Sequence, residues 1–132
     1  MQRNIQDKNN IKDTYLIKKN IDLLKDNKFF DLINKRTEKI VTALYMVTDC
    51  IYEEEPLRTR LRDLGLTILS DINFLVLKTS TKQHVSLNEI LNIINQTITI
   101  LRLSTTIGLI SQMNASILIK EFDLLAVRLN KI

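Results

Sequence analysis

The chain has 132 residues, 45% hydrophobic and 26% charged, with two Gly, one Pro, one Cys, one His, no Trp and a formal net charge of +4. One cysteine cannot form an internal disulfide, one Cys and one His do not make a structural zinc site, and two glycines are too few for a glycine-rich phosphate loop. These counts argue against metal, redox and nucleotide chemistry, and we expect no catalytic residue, metal or cofactor. The scarcity of Gly and Pro favours an all-α fold, because sheets need turn residues at regular intervals.

The composition also bears on location. The first residues are polar and lack the apolar run of a signal peptide, so we expect a cytoplasmic protein. The longest weakly charged stretch, residues 90–119, carries Arg102 and several Asn and Thr residues. A membrane span needs about 20 mostly apolar residues, so this stretch predicts a buried helix instead.

The N-terminal segment predicts a tail followed by a short helix. Residues 1–12 are polar and aperiodic, which is typical of a flexible tail, and residues 13–132 are expected to form a single helical bundle domain. A short amphipathic helix is predicted from Asp13 to Asp26, with a break at residues 27–28. Its apolar positions are Tyr15, Ile17, Ile21 and Leu24.

Two longer helices follow. The first is predicted from about Asp31 to Tyr52, with a restart at Thr37, and the second from about Pro56 to Thr79. Proline suits the first turn of a helix and acidic residues favour its N-terminus, so Glu53-Glu54-Glu55-Pro56 marks the boundary. The apolar stripe of the first is Phe29, Phe30, Ile33, Ile40, Ala43, Leu44, Val47 and Ile51; that of the second is Leu57, Leu61, Leu64, Ile68, Ile72, Leu75 and Thr79.

A polar turn at residues 79–85 separates these helices from the last two. Ser86 and Glu89 have the spacing of a capping box, which predicts a helix from Ser86 to about Met113. Its apolar positions are Leu87, Ile90, Leu91, Ile94, Ile98 and Leu101, and its polar stripe is Asn88, Asn92, Asn95, Gln96, Thr99, Arg102 and Thr106. Such a weakly charged helix is either covered on more than one side by oligomerisation or is simply the central helix of the bundle.

Asn114 is a candidate N-cap for the last helix. Its apolar positions are Leu118, Phe122, Leu125, Leu129 and Ile132. Four long helices with short connections predict an up-and-down four-helix bundle with a short extra N-terminal helix.

Few residues suggest catalysis. Cys50 shares the helical phase of core residues, which favours a small buried hydrophobic side chain over a nucleophile. His84 lies in a polar turn, where a solvated histidine is at least as reasonable as a functional one. The glutamates 53–55 are explained by helix-end electrostatics.

Positive charge is the more informative signal. Residues 1–39 contain ten basic and six acidic residues, so they carry the whole surplus of +4. Arg58 and Arg62 share one face of the helix that starts at Pro56, and Arg60 points elsewhere. Either these groups bind phosphates, or they are ion-paired surface residues. The candidate nucleic-acid-binding residues are Arg58, Arg60, Arg62, Lys35, Arg36, Lys39, Lys18 and Lys19.

The segment from Ala43 to Ile72 resembles the four-helix-bundle family of the 23S rRNA intervening-sequence proteins. In that family an aliphatic-Tyr helix precedes an acidic, Pro-containing turn and a Leu/Arg helix with a Ser-x-x-Asn-Ile segment. The corresponding residues here are Tyr45, Thr48, Glu55, Leu57, Arg62, Gly65, Ser70 and Ile72. The segment from Met113 to Ile132 resembles the closing helix of the family. The family's Asn-Ile-x-Glu-Gly is replaced by Asp71-Ile72-Asn73-Phe74, and the first 30 residues have no counterpart.

The family includes the accessory variability proteins of diversity-generating retroelements, which are similar to barrel-shaped pentamers that bind nucleic acid and a reverse transcriptase. The resemblance implies a non-enzymatic homo-oligomer, in the family a pentamer, that binds RNA or DNA by charge and assists a reverse transcriptase. A structural or protein-interaction bundle with incidental charge is the rival hypothesis. An enzyme would need a site built around Cys50, His84 or the glutamates.

Overall fold

The computed structural model describes residues 2–77 and 86–132, and every regular element within these ranges is an α-helix. The helices are α1 (Gln2–Thr48), α2 (Pro56–Leu77), α3 (Leu87–Ile107) and α4 (Gln112–Leu129). The predicted all-α four-helix bundle is confirmed.

Helix α1 is longer than the sequence suggested. The predicted N-terminal helix is helical, but the expected break at residues 27–28 is wrong, because α1 is a single helix of 47 residues. Residues 2–12, expected as a tail, belong to its first turns. Neither Gly nor Pro occurs anywhere in α1, so its backbone contains no residue that strongly opposes helix continuation. The chain divides into two units, residues 1–32 and 33–132, and the bundle lies in the second.

The core of the bundle is built from one apolar stripe per helix, as the periodicity predicts, but Phe29 and Ile132, which the prediction placed on these stripes, are exposed. Buried core residues are Ile33, Ile40, Leu44, Ile51, Leu61, Ile68, Ile72, Ile90, Ile94, Ile98, Leu101, Ile110, Ala115, Leu118, Phe122, Leu125 and Leu129. Helices α1 and α2 approach closely at Gly65, where an added Cβ would lie 2.8 Å from Leu44 Cδ2 and 3.7 Å from Val41. A glycine at this position therefore sets how near the two helices can lie.

The helices are arranged in sequence order around the core. Helix α3 packs against α2 and α4, and Arg36 of α1 forms an ion pair of 2.9 Å with Glu121 of α4. The Cys50 thiol lies 3.5 Å from the Leu109 carbonyl, so the α1–α2 and α3–α4 connections meet at one end of the bundle. This arrangement is the up-and-down topology expected from short connections.

The structure corrects two helix ends. Helix α1 ends at Thr48 rather than Tyr52, and α3 ends at Ile107 rather than Met113. Gly108 has φ +90°, and its N–H donates to carbonyls of the last α3 turn. Because residues with a side chain rarely adopt this left-handed backbone conformation, a glycine at this position ends the helix effectively.

Of the two predicted N-caps, one is confirmed and the other is wrong. The Ser86 hydroxyl accepts a hydrogen bond of 3.2 Å from the Glu89 N–H, as the capping-box spacing predicts. For α4 the cap is Ser111, whose hydroxyl accepts from the Asn114 N–H at 3.1 Å, so the prediction that Asn114 is the cap was wrong. Helix α2 begins at Pro56, as predicted. The expected turn at residues 79–85 lies outside the described residues.

The Asp71 carboxylate on α2 destabilises the folded state at neutral pH. Burial raises the pKa of Asp71 above its ordinary value of 3.8, and the negative charge of Glu89 on α3 raises it further. The native state therefore binds a proton more readily than the unfolded chain. The stabilisation that protonated Asp71 gives the folded state is fully present below pH 3.8 and is lost as the pH rises through the raised pKa.

We expect Asp71→Asn to raise the free energy of unfolding at pH 7 by no more than about 0.5 kcal/mol: it removes a partly desolvated charge and a like-charge interaction, but solvent screens the partly exposed carboxylate. The gain over the parent protein should shrink towards pH 4. Urea unfolding at several pH values measures it. Asp63→Asn, which removes a charge from the exposed face of the same helix, is the control. An equal gain in both variants would show that general charge, and not the surroundings of Asp71, is responsible.

Candidate nucleic-acid interface

The arginine cluster that the sequence singles out lies where α1 ends and α2 begins. Arg58 and Arg62 occupy the first two turns of α2, beside the connection of residues 49–55. Their side chains are only 14% and 21% exposed, respectively. Both guanidinium groups are therefore largely covered by the protein itself.

Arg62 is held by the last turn of α1. Its Nε donates to Thr48 Oγ1 at 2.9 Å and its Nη2 donates to the Tyr45 carbonyl at 3.2 Å. The guanidinium also lies 4.5 Å from the centre of the Tyr45 ring, in a cation–π contact. Since the last carbonyls of a helix have no partner within it and form the negative end of its dipole, Arg62 acts as a side-chain cap for α1.

Arg58 completes the same corner. Its Nη1 donates to the Ile51 carbonyl at 2.8 Å, and its Nη2 lies 3.5 Å from Asp49 Oδ1. Arg62 Nη2 lies 3.7 Å from the same oxygen. Two guanidinium groups thus share one carboxylate, and the trio Arg58, Arg62 and Asp49 carries a formal charge of +1. The Asp49 side chain is 78% exposed, so solvent screens both ion pairs.

Arg60 points away from this corner, as predicted. Its side chain is exposed, and its Nη2 lies 3.4 Å from Gln96 Oε1 on α3. A bond of that length is weak, so the guanidinium remains accessible to a solvent anion. The three arginines therefore do not form one surface.

The basic residues of α1 fall into two groups. In the second unit, Lys35 and Lys39 are exposed and lie one helical turn apart, whereas Arg36 is half-buried and donates to Glu121 Oε2 at 2.9 Å. In the first unit, Lys18 is exposed and the side chain of Lys19 lies outside the described residues. The structure thus brings Lys35 and Lys39 together on the outer side of the bundle.

Of the residues around which a catalytic site would have to be built, the structure describes Cys50 and the glutamates 53–55 but not His84. Cys50 is exposed, which corrects the expectation of a buried side chain. Because α1 ends at Thr48, Cys50 leaves the helical phase, and its thiol donates instead to the Val47 carbonyl at 3.0 Å. His84 lies outside the described residues. Within residues 2–77 and 86–132, no group of three His, Cys, Asp or Glu side chains is placed to hold a metal ion.

Glu55 has a local partner. The Tyr52 hydroxyl donates to Glu55 Oε2 at 2.9 Å, and this hydrogen bond, with the nearby negative charge, raises the pKa of Tyr52. Glu53 and Glu54 are exposed. The acidic run therefore belongs to the connection that leads into α2.

The outer faces of α3 and α4 differ in chemistry. The polar stripe predicted for α3 is exposed along its length, at Asn88, Asn92, Asn95, Gln96, Thr99, Arg102 and Thr106. On α4 four of the nine exposed positions are apolar, namely Met113, Ile117, Leu124 and Val127. The sequence interpretation missed this second stripe on α4, although its spacing of four, seven and three residues could have revealed it.

The described helices contain no apolar segment that is long enough to span a bilayer. The chain matches no protein-family model, and no curated protein or solved structure is significantly similar to it. Its function is therefore inferred from the positions and contacts of its own residues.

Proposed function

We propose that this protein is a non-enzymatic, oligomeric accessory protein that binds RNA or DNA by charge. The observation that carries the proposal is the charge distribution. The whole surplus of +4 lies in residues 1–39, and two of these basic side chains, Lys35 and Lys39, are exposed one turn apart on the bundle. The regularly spaced phosphates of a nucleic-acid backbone attract such a positive surface without base recognition, and binding releases counterions.

The exposure of the described side chains divides the candidate residues by role. Lys35 and Lys39 contact phosphates, with Lys18, Lys19 and Arg60 as further positive groups. Arg58 and Arg62 hold the end of α1 and share Asp49, so they contribute little to phosphate binding. Arg36 is paired with Glu121 and holds α1 against α4.

The change Lys35→Gln/Lys39→Gln should weaken binding to a mixed-sequence 20-nucleotide RNA or DNA by roughly tenfold at low salt. Each lost phosphate contact reduces the magnitude of the slope of log K against log salt concentration by about one. The slope of the double variant should therefore be smaller in magnitude by about two. Fluorescence anisotropy between 50 and 200 mM KCl measures both quantities.

The matched control is Arg102→Gln/Lys131→Gln, which removes the same charge from exposed positions elsewhere on the bundle. It should leave the slope nearly unchanged. An equal loss in both pairs would assign binding to overall charge rather than to α1. Absence of salt-sensitive binding by the parent protein would overturn the proposal.

The partner implied by the family resemblance is the reverse transcriptase of a diversity-generating retroelement, acting in the cytoplasm. The test is co-purification of the full chain with a reverse transcriptase encoded beside it, with and without nuclease. A complex that survives nuclease would support a direct accessory role. Recovery only in the presence of nucleic acid would limit the role to binding the same template.

The second candidate function is a protein-interaction bundle. It is favoured by the four exposed apolar residues of α4, since large exposed apolar patches on a protein surface often mark interaction sites. This function predicts a stable complex whose mass does not change when RNA or DNA is added. Light-scattering mass with and without nucleic acid therefore separates the two functions.

A further inference from the structure

Helix α4 carries two apolar stripes, and only one of them is used by the bundle. The inner stripe consists of Ala115, Leu118, Phe122, Leu125 and Leu129, all of which are buried. The outer stripe consists of Met113, Ile117, Leu124 and Val127, which are 75%, 57%, 36% and 53% exposed. Lys120, which is also exposed, occupies the middle of the outer stripe.

The outer stripe has the spacing of a coiled-coil seam. Its five positions, 113, 117, 120, 124 and 127, are separated alternately by four and three residues, which is the a/d pattern of a heptad repeat. This pattern keeps one face of a helix against a single partner helix over several turns. An outward face that meets only water is normally polar.

Helix α3 provides the comparison within the same molecule. Its outward positions 88, 92, 95, 99, 102 and 106 have the same alternating spacing but are occupied by Asn, Thr and Arg. Both faces are exposed, so their different chemistry does not come from different burial in the chain. At this spacing the exposed face of α4 is therefore apolar at four of five positions and that of α3 at none, although α3 exposes Leu103 and Ile107 elsewhere.

We propose that the outer stripe of α4 binds the same stripe of a second copy of this chain, with the two helices antiparallel. The charges on α4 complement those of a second copy in one direction only. A parallel symmetric pair would place Lys120 against the partner's Lys120, which is repulsive. An antiparallel pair centred near Phe122 places each Lys120 level with the partner's Leu124 and one residue from the partner's exposed Asp123.

The size of the stripe sets the expected strength. A standard interface buries about 800 Å² on each partner, and one helix with four apolar contact residues provides less than that. The expected dissociation constant is therefore on the order of micromolar. The stripe on α4 and the lysines on α1 are separate surfaces, so this inference does not rest on the proposed nucleic-acid binding.

The first experiment measures the mass of the full chain by sedimentation equilibrium between 1 and 200 µM, without nucleic acid. We expect a monomer–dimer equilibrium. The variant Ile117→Gln/Leu124→Gln should raise the dissociation constant about tenfold per side chain while keeping helix content by circular dichroism. The matched control Leu66→Gln/Phe74→Gln changes exposed apolar residues of α2 and should leave the dimer intact.

A second experiment tests the direction of the helices. Lys120→Asp and Asp123→Lys should each weaken the dimer, and the combined exchange Lys120→Asp/Asp123→Lys should restore it. A parent protein that is monomeric at 200 µM would overturn the proposal and indicate a different protein as the occupant. A dimer or larger oligomer that the Ile117→Gln/Leu124→Gln variant leaves unchanged, or failure of the combined exchange to restore a weakened dimer, would also overturn it.

Discussion

Replacing Arg62 with alanine should lower the free energy of unfolding by about 2 kcal/mol. The change removes two hydrogen bonds to the last turn of α1, an ion pair with Asp49 and the contact with the Tyr45 ring. Hydrogen bonds made by a charged group contribute about 1.5–3 kcal/mol each, but the exposed Asp49 and incomplete burial reduce the total. Urea unfolding followed by circular dichroism measures the loss.

Arg60→Ala is the matched control, because it removes the same side chain from the same helix at an exposed position. Its expected effect is within about 0.5 kcal/mol. Arg62→Lys should recover little of the loss, since an ammonium group cannot reproduce the forked contacts of a guanidinium. If Arg62→Ala left stability unchanged and abolished nucleic-acid binding, Arg62 would be a phosphate ligand rather than a cap.

Replacing Phe122 with alanine should have the largest effect on stability, a loss of about 3–5 kcal/mol. Phe122 is fully buried and is the largest side chain of the core, so its removal loses buried apolar area and leaves a cavity between the helices. A stable domain has a free energy of unfolding of about 5–15 kcal/mol, so the variant should be near the limit of folding.

The control for Phe122 is Leu124→Ala, two residues further along the same helix on the outer stripe. Measured at a concentration well below the expected dissociation constant of the dimer, it should cost less than about 1 kcal/mol because the side chain is already 36% exposed. Equal losses in the two variants would contradict the assignment of an inner and an outer stripe.

Much of the fold follows from the sequence. The apolar periodicity identifies the core stripes of all four helices, Pro56 marks the start of α2, and Ser86 with Glu89 marks the start of α3. These features are local: a proline constrains its own backbone, and a capping serine bonds an N–H three residues away. Local chemistry can be read from neighbouring residues alone.

The errors occur where competing local signals differ only slightly. Leu109 and Ile110 continue the apolar pattern of α3, so the sequence did not show that Gly108 ends the helix in a left-handed conformation. Ser111 and Asn114 are both good N-caps, and the short α3–α4 connection selects Ser111. Cys50 shared the core phase only as long as α1 was assumed to continue past Thr48.

The candidate site shows most clearly what the sequence alone does not determine. The sequence by itself determined that the surplus charge lies in residues 1–39, that Arg58 and Arg62 share a face, and that four amphipathic helices need a common core. Only the tertiary structure decided that these two arginines turn towards Asp49 and the end of α1, and that the second apolar stripe of α4 stays uncovered. Helical periodicity fixes which residues share a face, but the partner of each face depends on how separate helices pack together.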